Sequence, residues 1–123
     1  MSNWTLVQSK TNVAVAATTV TATFDAPTVA GNLVIVGIRT AAGIVINTPT
    51  DDASGGTNTY QNLGQNGTAP APRVKAYVND TILGIISKAA SAITVTTGAS
   101  TTIEIIIAEF APGHPLQNIS TAI

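Results

Sequence analysis

Thr19-Val20-Thr21-Ala22-Thr23-Phe24 is the stretch whose pattern settles the fold class. Polar and apolar residues alternate without a break. In an extended chain Val20, Ala22 and Phe24 therefore share one face, and three threonines share the other. The same two-residue period recurs downstream. Val74, Ala76 and Val78 alternate with Arg73, Lys75 and Tyr77, and Ile93 and Val95 alternate with Thr94 and Thr96. Ile103, Ile105 and Ile107 oppose Glu104, Ile106 and Ala108. Trp4 and Leu6 open a first strand, and Ile44-Val45-Ile46 reads as a further short one. Leu33 to Ile38 is almost wholly apolar and short enough for a central strand buried on both faces.

Val, Ile and Thr dominate these segments, and their branched β-carbons suit a pleated sheet better than a helix. Turn-forming clusters separate them: Asp25-Ala26-Pro27, Ala30-Gly31-Asn32, Thr48-Pro49, Ser54-Gly55-Gly56, Asn66-Gly67 and Pro70-Ala71-Pro72. Thr81 to Ala90 is the one helix candidate; its isoleucines and Gly84 favour a strand or connection. The expectation is an all-β, two-sheet antiparallel sandwich or jelly roll of about seven or eight strands. It would occupy residues 1–111, with a C-terminal tail over 112–123. The polar stretch Asp51 to Ala71 reads as a long loop, of a kind that is functional or disordered.

A chain of 123 residues is long enough to bury a core without disulfides or a metal. It has no cysteine, so disulfides, thiolate metal sites and a cysteine nucleophile are excluded together. Charged residues make up 9% of the chain, against about 25% in an average soluble domain. Net charge is −1 and mean hydropathy is +0.35. Charge opposes association, so two readings fit a surface this poor in ions: Thr, Ser and Asn solvate it, or part of it is buried against partners, as in an obligate oligomer.

Nucleic acid is a poor partner, because phosphate binding scales with cations. The five here, Lys10, Arg39, Arg73, Lys75 and Lys88, are dispersed. No run approaches the roughly 18 apolar residues of a membrane-crossing helix. The start, Met1-Ser2-Asn3-Trp4, lacks the basic end and apolar run of a secretory signal. Synthesis and assembly in the cytoplasm are therefore expected.

Residues able to carry chemistry are few. His114, between Gly113 and Pro115, has no acidic neighbour to orient it as a base. No nucleophile elbow, zinc-binding helix motif, phosphate loop or dinucleotide fingerprint occurs. Asp51 and Asp52, with Ser54 and Asn58, form the one stretch that could hold calcium. The spacing does not match an EF-hand, and a turn capped by Asp side chains explains the same residues. Glu109, after an apolar strand, reads as a buried, hydrogen-bonded structural group. Lys75 is the only candidate for an isopeptide link. No enzyme activity, cofactor or metal is expected. A glycan site would need exposed rings, and Tyr60, at the end of the long loop, is the ring to test.

Read in order, these pieces resemble a β-sandwich module of phage virion and bacterial surface proteins. They are the turn and strand Ala30-Gly31-Asn32-Leu33-Val34-Ile35-Val36, the loop Asp51 to Tyr60 with Thr57-Asn58-Thr59-Tyr60, then Ala76-Tyr77, Ile93-Thr94-Val95-Thr96 and Ala108-Glu109-Phe110-Ala111. The loop departs from the pattern, since Ser54-Gly55-Gly56-Thr57 separates the glycines from Asn58. Standing alone, the module most resembles phage capsid decoration (cement) proteins. That resemblance implies a homotrimer bound to major capsid protein on the virion surface, with no catalytic residues. The residues expected at partner contacts are Asn58 and Tyr60 in the loop and Pro115, Leu116, Ile119 and Ile123 in the tail. The alternative is a tail- or fibre-associated module that recognises host glycan.

Overall fold

A computed structural model describes residues 4–67, 71–79 and 88–112. The described residues are all-β and contain no helix. Six strands follow in order: β1 (Thr5–Thr23), β2 (Leu33–Thr40), β3 (Thr50–Asp51), β4 (Tyr60–Asn66), β5 (Arg73–Asn79) and β6 (Ala92–Ala111). All pairings are antiparallel. They build one sheet in the order β1-β6-β2-β5-β4, with β3 on β6.

Among the described residues the strands number six, where seven or eight were expected. The reason is the length of β1 and β6, at 19 and 20 residues. They pair along almost their full extent, from Thr5↔Ala111 to Thr23↔Ala92. Runs that read as separate short strands, such as Thr19–Phe24 and Ile93–Thr96, are largely the ends of these long ones. The ladder slips between Leu6 and Gln8 and again between Ala14 and Thr19. Ala16, in the second slip, has φ 50°, a left-handed conformation unusual for a residue with a β-carbon. Such irregularities bend a strand and change its direction.

The bend brings the two parts of β1 into side-chain contact. Gln8 Nε2 donates to the Ala26 carbonyl at 2.9 Å, and Asn12 Nδ2 donates to the Thr21 carbonyl at 2.7 Å. Lys10 Nζ lies 2.9 Å from the Asp25 carboxylate. A single apolar cluster forms in the fold of the sheet. Val20, Ala22 and Phe24 come from the late part of the first strand and the residue after it, and Ile93 and Val95 from early β6. They meet Val34, Val36, Ile38, Tyr60, Tyr77, Ile103, Ile105 and Ile107. Each fully buried Ile or Val contributes about 1.5–3 kcal/mol by leaving water.

Two expectations change. Ile44–Ile46 is not a strand; it meets β6 only through the isolated bridge Ile46↔Thr97. Its Val45 carbonyl accepts the Gly98 N–H of β6 at 2.9 Å, while side chains take the two flanking carbonyls, Arg73 Nη1 on Ile44 at 2.9 Å and Lys75 Nζ on Ile46 at 3.2 Å. The stretch Asp51 to Ala71 is not one long loop, because β4 runs through it and pairs with β5. Gly67 closes that hairpin at φ 108°, and a β-carbon there would lie 2.1 Å from the Pro72 carbonyl oxygen. Of the candidate segment Thr81 to Ala90, residues 81–87 lie outside the described residues, and 88–90 are not in a strand.

Candidate functional site

The loop between β3 and β4 is organised by one carboxylate. Asp51 Oδ1 accepts the backbone N–H groups of Ala53 and Asn58, each at 3.1 Å. Its Oδ2 accepts Asn58 Nδ2 at 2.7 Å and the Tyr60 hydroxyl at 2.8 Å. Asn58 reaches on to the neighbouring segment: its Nδ2 donates to the Lys88 carbonyl at 3.0 Å and its Oδ1 accepts the Lys88 N–H at 2.5 Å. Asp52 Oδ1 accepts the N–H groups of Ser91 and Ala92 at 2.7 and 3.1 Å. Those donors hold the Asp52 carboxyl below its usual range.

This geometry defines what the motif does. Tyr60 is buried, with its ring in the core cluster. Burial first, and then the Asp51 carboxylate, push its hydroxyl well above the usual tyrosine range. Both residues singled out in the loop, Asn58 and Tyr60, therefore frame it and are committed to Asp51. The glycan-facing ring expected at Tyr60 is not at the surface. The candidate calcium loop is occupied by its own donors, because four hydrogen bonds converge on Asp51. Among the described residues, no three His, Cys, Asp or Glu side chains gather around a common point.

A second polar centre lies at the end of β6. Glu109 is fully buried. Its Oε1 accepts Gln8 Nε2 at 2.8 Å, and its Oε2 accepts the Val29 N–H and Asn32 Nδ2, both at 2.8 Å. Nearby, Asn79 Oδ1 accepts the Val34 N–H at 2.9 Å. The Glu109 bonds tie β1 and the Ala26–Asn32 turn to β6, and the Asn79 bond ties β5 to β2. Glu109 is the buried structural group that its position after an apolar strand implied. Lys75 donates to a carbonyl and lies 5.1 Å from the Tyr77 ring centre, with no carboxylate among its described partners. The geometry gives no support to an isopeptide link there.

The surface is the remaining place for function. The ion pairs among the described residues are Lys10–Asp25 and Arg39–Glu104, both exposed. Large apolar side chains reach solvent most densely along the first strand: Trp4, just before it, then Leu6, Val7, Val13 and Val15. Val13 also lines a shallow groove of about 390 Å³ with Gly37, Val74 and Ile106, and Arg39 and Glu104 lie on it too. Sequence reasoning placed the start of this strand at Trp4 and Leu6 but not its exposed apolar row, because Gln8 to Asn12 is polar and the ladder slips on either side of it. The tail residues His114, Pro115, Leu116, Ile119 and Ile123 lie outside the described residues.

Compared with family models, with curated proteins and with solved structures, the chain finds no match in any of the three.

Proposed function

We propose that the chain is a non-enzymatic structural protein of a virion, a decoration protein that associates with its own copies and stabilises a shell of major capsid protein. The observation that carries this reading is the apolar, charge-poor first strand. Trp4, Leu6, Val7, Val13 and Val15 are each between 44% and 73% exposed. Isolated apolar residues on a surface need no explanation, but a concentration of them marks a contact surface. The interior supports the same reading, because the polar groups around Asp51 and Glu109 are spent on holding the fold. The finer fold assignment belongs here too. The bent sheet is read as a two-layer sandwich, with Gln8–Ala26, Lys10–Asp25 and Asn12–Thr21 joining its layers.

Light scattering on the purified chain tests the first half of the proposal. A stable oligomer is expected, a trimer if the resemblance to decoration proteins holds in full; a monomer at high concentration overturns it. Co-sedimentation with shells of a phage major capsid protein tests the second half. Saturable binding that survives about 0.5 M salt is expected, since few charges are available to be screened. No binding to the shell overturns it.

A further inference from the structure

We infer that the free edge of β1 is a self-pairing edge, on which Val7–Val13 of one copy lies antiparallel to Val7–Val13 of a second copy. The inference rests on the assembly reading only for the premise that copies associate; it names the surface. Among the described residues β1 pairs with β6 alone, so its other side carries unpaired backbone groups. Only a strand satisfies such a row in full. The Val13 N–H shows which residues face that side. It is taken by the adjacent Asn12 Oδ1 at 2.9 Å instead of by β6. The register is unbroken from Gln8 to Ala14. Backbone direction alternates along a strand, so Ser9 and Thr11 face the free edge with Val13.

The occupant follows from the sequence of that edge. Val7-Gln8-Ser9-Lys10-Thr11-Asn12-Val13 reads alike in both directions: valine at each end, an amide next, a hydroxyl next, lysine at the centre. An antiparallel copy centred on Lys10 sets Val7 against Val13, Gln8 against Asn12 and Ser9 against Thr11. Like thereby meets like in the cross-strand positions that stabilise sheets. The edge-facing residues Ser9, Thr11 and Val13 then exchange backbone bonds, with Asn12 releasing the Val13 N–H to the incoming strand. The two lysines at the centre do not repel unopposed. Each is paired with an Asp25 at 2.9 Å, so the junction carries two cations and two anions. Such a two-fold contact is self-complementary and joins copies in pairs, so in a trimeric decoration protein it links one trimer to a second.

The other candidate edges fit less well. β4 is interrupted by a bulge between Asn62 and Gly64, where Gly64 has φ 143°. The later part of β1 has its Thr21 carbonyl capped by Asn12.

The chain has no cysteine, so introduced ones report cleanly. Paired residues on neighbouring strands are about 5.5 Å apart between α-carbons, within disulfide reach. The S9C/T11C double variant, oxidised, is expected to run on a non-reducing gel at twice the 12.4 kDa chain mass. T11C alone is expected to stay single, because the register sets Thr11 against Ser9. Thr11→Pro removes one edge-facing N–H per copy and is expected to weaken self-association about tenfold. Its sheet content by circular dichroism should be unchanged. If the wild-type chain associates but S9C/T11C does not cross-link, this edge is wrong and the assembly reading stands. Cross-linking of T11C alone overturns the register. A wild-type chain that stays monomeric overturns both.

Discussion

Gln8 and Glu109 face each other across the β1–β6 ladder and are joined through their side chains, Nε2 to Oε1 at 2.8 Å. The pair closes the apolar cluster at the end of the sheet where the first and last described strands meet. Glu109 collects two further donors, from Val29 and Asn32, so three elements depend on one buried carboxyl group.

Replacing that group strands its donors. Glu109→Ala removes an acceptor shared by three donors, of which the Asn32 bond is buried while Gln8 Nε2 keeps the Ala26 carbonyl. A loss of about 1–3 kcal/mol is expected in urea unfolding. Glu109→Gln keeps the shape but turns an amide N–H₂ toward groups that also donate. It should therefore recover only part of the loss.

Tyr60 gives the protein an alkaline limb. Its hydroxyl titrates higher in the folded chain than in the unfolded one. The stability it contributes is therefore complete below the unfolded value, about 10, and is lost as the pH rises from there toward the folded value. Denaturant midpoints measured from pH 8 to 11 should fall above pH 10 in the wild type. In Tyr60→Phe the slope should be flatter, on a baseline lowered by about 1 kcal/mol for the lost bond to Asp51.

Asp52 acts at the other end of the scale. The Ser91 and Ala92 N–H groups depress its pKa in the folded state. Its contribution is present above the unfolded carboxylate value and disappears as the pH falls through the lower folded value. The difference in denaturant midpoint between wild type and Asp52→Asn should be visible at pH 6. It should close by about pH 2.5.

Gly37 reports on the groove beside β1. A β-carbon there would stand 2.9 Å from Ile106 Cγ2. Gly37→Ala should cost about 1–3 kcal/mol through overpacking. Adding Ile106→Ala should recover most of that cost, because Ile106 is half exposed and loses little by truncation. If the double variant is no more stable than Gly37→Ala, the clash is not the cause.

Much of the sheet could be read before the fold was known, where side-chain alternation was uninterrupted. Thr19–Phe24 and Ile103–Ala108 each turn their alternating apolar face to the core, and β2 keeps Val34, Val36 and Ile38 inward. Arg73–Val78 alternates with the opposite sense to its apolar pattern: Val74 is exposed and Tyr77 enters the core. The early part of β1 was opaque beyond its start because Gln8-Ser9-Lys10-Thr11-Asn12 is polar on both faces, and the ladder slips before and after it shift which residues face the core. β4 was opaque for a different reason: Tyr60-Gln61-Asn62-Leu63-Gly64-Gln65-Asn66 presents a mostly polar strand with only Tyr60 buried. Ile44–Ile46 erred the other way, having strand composition but carbonyls claimed by Arg73 and Lys75. At the polar centres, Asp51, Asn58 and Tyr60 lie close in sequence and could be grouped from it. The partners of Glu109 lie 77 to 101 residues away, and no local pattern reveals them.

The pairing of Thr5 with Ala111 has a consequence for synthesis. A chain still emerging from the ribosome exposes its apolar first strand long before the strand that completes the sheet exists. Pairing between such distant segments is slow, and waiting strands are open to wrong partners. Synthesis past Ala111 is the earliest moment at which this fold can close, and crowded expression is where it should misassemble first.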